Sequence, residues 1–417
     1  MPPLRLAVLL LSCARAADGW VSLSAANTGG SYPDVVQQVV GDVDTRTDAN
    51  HITFQDDWQV YTGGDIFEIR SHAADSADAD SVSGTMLPRL TLDKAGNVIL
   101  RNAGNAVAAG ASGASVLGGG TAAGPNNAHD DYNVIGGGFN NVCGSADATF
   151  DNAAHATVSG GSSNTASANG ATVGGGESNT ATAAHAVTGG GYTNVATAAA
   201  ACVSGGQNNE ASATNAAIAG GSANRALGAG ASVGGGSGNT AGGVAATVSG
   251  GASNVGAGEH STVGGGSGNS AAGASAAVAG GASNAAAGDN TAVGGGAGNV
   301  ASAAGALVAG GVTNAASAAN AVCGGGTGNT ASAAGCSVFG GTSNTASAMH
   351  ATISGGESGT ASGAHATVSG GNNNAASAQF ATVGGGSSNA VAATGIRFCI
   401  TNDGFCIETG RFCIKDD

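Results

Sequence analysis

Five histidines recur at one position of a 15-residue repeat, and they are the first candidates for chemistry in this sequence. Two of them, His350 and His365, fall in successive repeats. If successive repeats stack as neighbouring strands, the two imidazoles come within about 5 Å of each other. Imidazole pairs suit transition metals, but other repeats place Gly, Ala, Ser, Asn or Phe at this position. The sequence therefore favours a tolerant outward-facing position, and we predict no metal site. The five are His155, His185, His260, His350 and His365.

Carboxylates are too sparse in the repeats to suggest an enzyme. Glycoside cleavage needs two carboxyl groups close together, and the repeats carry almost none. No Lys follows the glycine runs as a phosphate loop requires. Four acids lie where the repeat is interrupted, and solvated loop acids are favoured there over a calcium loop. They are Asp130, Asp131, Asp147 and Asp151. We expect a non-catalytic protein without cofactors.

The cysteines do not form a recognisable framework. Residues 1–16 have the charged start, apolar run and small-residue cleavage site of a secretory signal. Its removal takes Cys13 and leaves seven cysteines. An odd number in an oxidising compartment predicts a free thiol or an intermolecular bridge. Cys202, Cys323 and Cys336 occupy ordinary repeat positions and are interpreted as small apolar substitutes.

The element that positions all these side chains is the repeat itself, which spans residues 156–391. Sixteen units follow one another at 15 residues without insertion or deletion, and an Asn marks each unit except one, where Gly359 stands. A fixed short period is typical of a solenoid. The unit lacks the Leu, Glu, Lys and Arg that favour helices. We therefore predict an all-β protein, a β-solenoid (β-roll) of 15-residue turns. This prediction is favoured over the alternative that the repeat is a flexible low-complexity linker.

Within each unit, alternation predicts two short strands with inward-facing residues. An Ala and an aliphatic residue share one face of the first strand, and the Asn and a second Ala share one face of the second. A Gly pair between the strands predicts a tight corner with positive φ or close backbone approach. The Asn beside it is predicted to accept αL geometry and to bond backbone groups. Stacked turn on turn, the Asn amides are also predicted to build a hydrogen-bonded ladder along the axis. The first residues of this framework are Val158, Val173, Gly160, Gly161, Asn164, Asn179, Asn194 and Asn209.

The outward residue of the first strand varies, but Thr recurs there. A partial row of hydroxyl and methyl groups at regular spacing is a candidate binding face, including for ice. Val368 to Ser377 also loosely resembles ice-recrystallisation inhibitors of grasses. Against an ice site, the other repeats do not have Thr at this outward position, and Cys202 and Leu307 interrupt the row. The candidate residues are Thr157, Thr172, Thr247, Thr262, Thr352, Thr367 and Thr382.

Four further segments flank the regular units. Residues 1–16 are the predicted signal peptide, and residues 17–112 a β head or cap with strands near 52–54, 58–61 and 66–70. That head ends in a hairpin, Leu87 to Leu100, that turns at Ala-Gly-Asn. Residues 113–155 are predicted as irregular first coils, with turns at Leu117 and Ile135 and with loops at 125–132 and 144–154. Residues 392–417 are predicted as a Cys-containing β-meander cap.

The small side chains of the core predict self-association. Ala, Val and Asn bury little apolar surface, and side-by-side packing of chains would add to it. We expect a homo-oligomer, most plausibly a trimer. The net charge of −15, without a lysine cluster, argues against nucleic acid as a partner. No segment beyond the signal is apolar over a length that spans a membrane.

One stretch resembles a known family. The run NTASAAGCSVFGGTSNTAS, from Asn329 to Ser347, is similar to the left-handed β-roll head repeats of trimeric autotransporter adhesins and related tail-fibre proteins. The usual repeat of that family is one residue shorter and has a single corner Gly. The resemblance implies a trimeric adhesive coil. Two hypotheses follow: a secreted structural or adhesive fibre that binds a cell surface or glycan, or an ice-binding coil.

Overall fold

The computed structural model describes residues 38–40, 50–54, 58–63, 66–72, 86–100, 104–147, 149–392, 398–401, 405–408 and 411–414. Every regular element among them is a β-strand. No helix in these ranges is long and apolar enough to cross a membrane. The predicted signal peptide lies outside the described residues. The chain divides into two compact units, one ending at Gly170 and one beginning at Ala171.

The first unit starts with an antiparallel meander. It runs through β1 (Gln38–Val40), β2 (Asn50–Phe54), β3 (Trp58–Gly63), β4 (Ile66–His72) and β5 (Met86–Asp93). A turn then leads to β6 (Val98–Leu100), which pairs with β5. This agrees with the strands and hairpin predicted from the sequence.

The turn between β5 and β6 is built by a backbone that only a small residue adopts easily. Gly96 has φ +83°, and its N–H donates to Asp93 O at 3.0 Å. Asp93 also accepts from Asn97 N and Asn97 Nδ2, both at 2.9 Å. These bonds close the predicted Ala-Gly-Asn turn and direct the chain into the coil.

The coil of the first unit has two parallel sheets. The first sheet, which we call sheet A, continues from β6, and the second, sheet B, lies on the other side of each turn. Sheet A contains Val98–Leu100, Ser115–Val116, Val134–Ile135 and Thr157–Val158. Sheet B contains Ala106–Val107, Asn127–Ala128, Val142–Cys143 and Thr165–Ala166.

Two sequence-based expectations about these first turns are wrong. Val116, not Leu117, pairs with Ile135 and is buried, whereas Leu117 is 45% exposed. Ala114 to Gly119 has the same Ala-x-Val-x-Gly-Gly pattern as Ala156 to Gly161, and the additional residues of this turn lie between Gly119 and Asn126. Residues 125–132 were predicted to be a loop, but they contain the strand Asn127–Ala128 and a buried ladder residue, Asn126. Asn126 lies 15 residues before Asn141, so the period itself could have revealed it.

The second unit repeats one turn with a sheet A strand, a glycine corner, a sheet B strand and a second corner. Each strand pairs in parallel with its equivalent 15 residues later, as in Thr172↔Val187 and Thr180↔Val195. This confirms the predicted fold class, an all-β solenoid of 15-residue turns.

Sheet A of the second unit contains Thr172–Val173, Val187–Thr188, Cys202–Val203, Ala217–Ile218, Ser232–Val233, Thr247–Val248, Thr262–Val263, Ala277–Val278, Ala292–Val293, Leu307–Val308, Val322–Cys323, Ser337–Val338, Thr352–Ile353, Thr367–Val368 and Thr382–Gly386.

Sheet B contains Thr180–Ala181, Val195–Ala196, Glu210–Ala211, Arg225–Ala226, Thr240–Ala241, Val255–Gly256, Ser270–Ala271, Ala285–Ala286, Val300–Ala301, Ala315–Ala316, Thr330–Ala331, Thr345–Ala346, Thr360–Ala361, Ala375–Ala376 and Ala390–Val391. Between the sheets, single bridges such as Ala297↔Val312 form a third row.

Three antiparallel strands follow the coil. Phe398–Thr401 pairs in parallel with Thr382–Gly386, and then antiparallel with Phe405–Glu408, which pairs with Arg411–Ile414. Cys399, Cys406 and Cys413 occupy one register position of this predicted meander.

Candidate binding surfaces

Two inward-facing columns, together with the buried Ala residues two positions away in each strand, form the interior of the coil and fix what lies outside. The Val column consists of the buried second residues of the sheet A strands, Val173 to Val383, with Thr188, Ile218, Cys323 and Ile353 as variants. The Asn column consists of the residues before the sheet B strands, Asn179 to Asn389, with Gly359 as the variant. In the first unit, Val158 and Asn164 occupy the same positions and are also buried.

Each Asn bonds mainly to backbone rather than to the next amide. Asn284 shows the pattern: its N–H donates to Asn269 Oδ1 at 3.0 Å, and its Nδ2 donates to Gly280 O and Gly296 O, both at 2.9 Å. Its Oδ1 accepts from Asn299 N at 3.0 Å. The side chain therefore satisfies buried backbone groups of two successive turns. Asn194 and Asn209 are bonded in the same way.

The predicted αL geometry belongs to the residue before the Asn, not to the Asn itself. Thr193 has φ +54° and Asn208 has φ +55°, and Thr193 N donates to Glu177 O at 2.9 Å. The expectation from sequence was wrong because the inward-facing Asn must keep its side chain in the core. The residue before the Asn therefore adopts the αL conformation that turns the corner.

The two glycines of each corner have different roles. A Cβ on the second one, Gly311 (φ +89°), would meet Gly326 O and lie 2.5 Å from Asn314 Nδ2. A Cβ on the first one, Gly310, would meet nothing within 4 Å. Close backbone approach between turns therefore requires glycine at the second position. Gly161 (φ +91°) is the second glycine and Gly160 (φ +159°) the first in the unit-one corner.

The Thr residues of sheet A point outward, as their place beside the buried Val column requires. Thr157, Thr172, Thr247, Thr352, Thr367 and Thr382 are half-buried, and Thr262 is exposed. Within the second unit, Thr352, Thr367 and Thr382 form three consecutive rungs paired through their backbones.

Sheet B carries a second Thr row that the sequence analysis did not identify. Thr330, Thr345 and Thr360 are also consecutive rungs and half-buried. Thr330 and Thr345 immediately follow a ladder Asn and Thr360 follows Gly359 in the same column, so the same 15-residue spacing marks them. Both three-rung rows occur in the later turns of the second unit.

The middle turns are apolar on all three outward rows instead. Sheet A has Ala277, Ala292, Leu307 and Val322; sheet B has Ala285, Val300 and Ala315; and the bridge row has Ala282, Ala297 and Val312. Among these, Val300, Leu307 and Val312 are 36, 38 and 45% exposed. We call all ten of these outward residues on the three rows the apolar belt.

The predicted loop acids are held by separate local contacts. Asp130 is buried, its Oδ2 accepts from Ser145 N at 2.6 Å, and burial raises the pKa of its carboxyl group. Asp131 accepts from Ser112 N at 2.7 Å. Asp147 accepts from Thr149 Oγ1 and N, which lowers its pKa to about 2. Within the described ranges, no three His, Cys, Asp or Glu side chains gather as a potential metal site.

The repeat cysteines divide into buried and surface positions. Cys323 and Cys336 are buried free thiols, and burial raises the pKa of Cys323 to about 11. Cys202 faces outward on sheet A and is partly exposed. Cys323 and Cys336 thus lie in the core as the small substitutes that the sequence predicts.

The histidines of the repeat lie at the second corner in αL backbone. His350 and His365 have φ +56° and +58°, and their ring centroids are 5.2 Å apart. Phe380 extends the stack, 5.1 Å from His365.

Comparison with known proteins identifies no family. No protein-family model matches this sequence, and no curated protein matches it.

Proposed function

We propose that this protein is a secreted, non-catalytic structural or adhesive fibre-like protein that presents the outward rows of its coil to partners. The observation that supports the proposal is the separation of constant interior from variable exterior. Through the second unit the Asn column departs from Asn only at Gly359 and the Val column holds only small or aliphatic buried residues, while the outward positions change from turn to turn. A repetitive scaffold of this kind can carry a binding surface without altering its core.

Self-association through the apolar belt is part of this proposal. In the coil between Asp289 and Glu357 the sequence has no charged residue, and the belt lies largely in that interval. A net charge of −15 makes copies repel elsewhere, so an uncharged apolar surface is where they can meet. The identical 15-residue spacing also lets two copies match rung to rung. The family resemblance suggests a trimer.

The self-association experiment is multi-angle light scattering of the purified mature protein across micromolar concentrations. We expect a mass above that of one chain. The double variant Val300→Glu and Val312→Glu should shift it toward monomer. Both substitutions have precedent in this coil, because Glu210 stands on the sheet B row and Glu177 on the bridge row. Thr367→Glu, outside the belt, is the control. A monomer mass for the unmodified protein at all concentrations would refute the proposal.

Adhesion is tested by binding of the mature protein to cells and to a glycan array. The triple variant Thr352→Ala, Thr367→Ala and Thr382→Ala removes the sheet A hydroxyls, and Ala277 and Ala292 show that the coil accepts Ala there. Weaker binding would place the partner on that row. No binding to any cell or glycan surface would count against an adhesive role. Export is tested separately, by amino-terminal sequencing of the protein recovered from culture medium.

Ice binding is a second candidate, favoured by the consecutive Thr rungs on both sheets. Parallel pairing sets a repeat of about 4.8 Å between their hydroxyl and methyl groups. An ice-recrystallisation assay of the purified protein distinguishes the two functions. Inhibition at micromolar concentration that the Thr-to-Ala triple variant loses would support ice binding. Normal ice growth together with glycan or cell binding would support adhesion.

A further inference from the structure

One pair of side chains on this coil has the geometry of a ligand site. His350 and His365 occupy the same corner of successive turns, both are exposed, and their rings stack with centroids 5.2 Å apart. The lone repeat histidines of the second unit differ. His185 is followed on the next turn by Ala200, and His260 stands between Ala245 and Ser275.

The backbone holds both imidazoles in place. His350 N donates to Ala334 O at 3.1 Å, and His365 N donates to Met349 O at 2.9 Å. These bonds fix the αL corners from which the two side chains project. The ring of His350 also lies over Gly335, where an added Cβ would be 2.6 Å from Nδ1. The absence of a side chain at Gly335 therefore makes room for the first ring of the stack.

Phe380 holds the other end of the stack. Its ring is 5.1 Å from that of His365 at an interplanar angle of 14°. The two imidazoles are inclined more strongly, at 23°. His365 is thus confined between two rings, and His350 between Gly335 and His365. The stack keeps the two imidazoles side by side at one corner of successive turns.

Against the sequence-based expectation of no metal site, we propose that His350 and His365 together chelate a divalent transition-metal ion of the copper, nickel and zinc group. Neutral imidazole is a preferred ligand of these ions. Metal–nitrogen bonds of about 2.0–2.1 Å require the two donor nitrogens to lie about 3–4 Å apart. Because the nitrogen lone pairs lie in the ring planes, the two stacked rings must turn about their side-chain torsions for both nitrogens to face one ion, and the exposure of both side chains leaves room for that turn. Because both side chains are exposed, water completes the coordination, and Cu²⁺ binds most tightly in the group.

The experiment is calorimetric titration of the mature, tag-free protein with Cu²⁺ and, separately, with Zn²⁺. His350→Asn and His365→Asn should each weaken binding about 10- to 100-fold, because the second imidazole acts at high effective concentration. Asn is a suitable replacement, since Asn290 and Asn320 hold the same corner at φ +55°. His185→Asn and His260→Asn are the matched controls and should leave the affinity unchanged.

Electron paramagnetic resonance of the Cu²⁺ complex gives an independent test. The unmodified protein should show two imidazole nitrogens, and each of the two site variants should show one. Equal binding by all four variants, or no binding at micromolar protein, would overturn the proposal. Circular dichroism identical to that of the unmodified protein would exclude misfolding as the cause of a loss.

Discussion

The Val column and the Asn column line the same interior, but they tolerate change very differently. The Val column accepts Ile218, Ile353, Thr188 and Cys323, all fully buried or nearly so. Among the described residues of the second unit, the Asn column departs from Asn only at Gly359. The contrast shows that space filling can be met by several side chains, whereas bridging two turns of backbone requires an amide.

The polar variants of the Val column explain its tolerance. Thr188 Oγ1 donates to Thr180 O at 3.1 Å, and Cys323 Sγ donates to Ala315 O at 3.2 Å. In both, the acceptor is the carbonyl eight residues earlier, so one backbone oxygen per turn is available to a small donor. Because that bond offsets the burial of a hydroxyl or thiol, the substitution costs little.

The corner glycine between the columns should be the most sensitive position. Gly311→Ala places a Cβ against Gly326 O at a positive φ, and we expect it to lower the free energy of unfolding by about 3–5 kcal/mol. At the neighbouring position an added Cβ meets nothing within 4 Å, so Gly310→Ala should change the free energy of unfolding by about 1 kcal/mol or less. Chemical denaturation followed by circular dichroism measures both. Similar losses for the two variants would show that close approach does not limit this corner.

Removal of one ladder amide should cost more than a change in the Val column. Asn284→Ala leaves Asn299 N without its acceptor and removes the Nδ2 donor to Gly280 O and Gly296 O, so we expect a loss of about 3 kcal/mol. Val278→Thr should cost about 1 kcal/mol, because Ser270 O is placed as Thr180 O is for Thr188. Thermal and denaturant unfolding compare them. A larger loss for Val278→Thr would reverse the proposed order.

The thiol in the Val column predicts a dependence on alkaline pH. Burial raises the pKa of Cys323 to about 11, so the folded state holds this proton more tightly than the unfolded state. The contribution of this protonated thiol to the free energy of unfolding is fully present below about pH 9. It falls by about 2 kcal/mol as the pH rises toward 11. Cys323→Val, with the residue usual in this column, should remove that part of the decline. Denaturation midpoints at pH 8 and pH 11 for both proteins measure it. Parallel pH profiles would contradict the expectation.

Repair of the one gap in the Asn column should have the smallest effect, and a stabilising one. Gly359 N donates to Asn344 Oδ1 at 2.8 Å, but Gly359 has no side-chain oxygen for Asn374 N. Gly359→Asn supplies it, and we expect a gain of about 1–2 kcal/mol. A Cβ there would lie 2.9 Å from Asn344 Oδ1, so a slight shift of that amide is required. Gly256→Ala, which fills a buried sheet B position usually held by Ala, is the control for loss of glycine freedom. Equal gains would assign the effect to backbone entropy alone.

Much of this molecule was predictable because it repeats. The 15-residue period specified the strands, their parallel stacking, the buried Val and Asn positions and the outward Thr row. Alternation and turn chemistry also predicted the β5–β6 hairpin. The first turns were harder, since additional residues between Gly119 and Asn126 interrupt the period. The Ala-x-Val-x-Gly-Gly pattern of the later turns nevertheless fits Ala114 to Gly119, and it could have placed Val116 rather than Leu117 in the core.

The sequence by itself determined the period and therefore which residues share a column, since every unit must adopt the same backbone path. The tertiary structure decided which atoms meet between turns. It showed which backbone groups of two successive turns each Asn amide bonds, that the αL residue precedes the Asn, and that the second corner glycine, not the first, lies against the backbone of the next turn. It also placed the ring of His350 over Gly335. These contacts depend on the offset between stacked turns, which spacing along the chain does not specify.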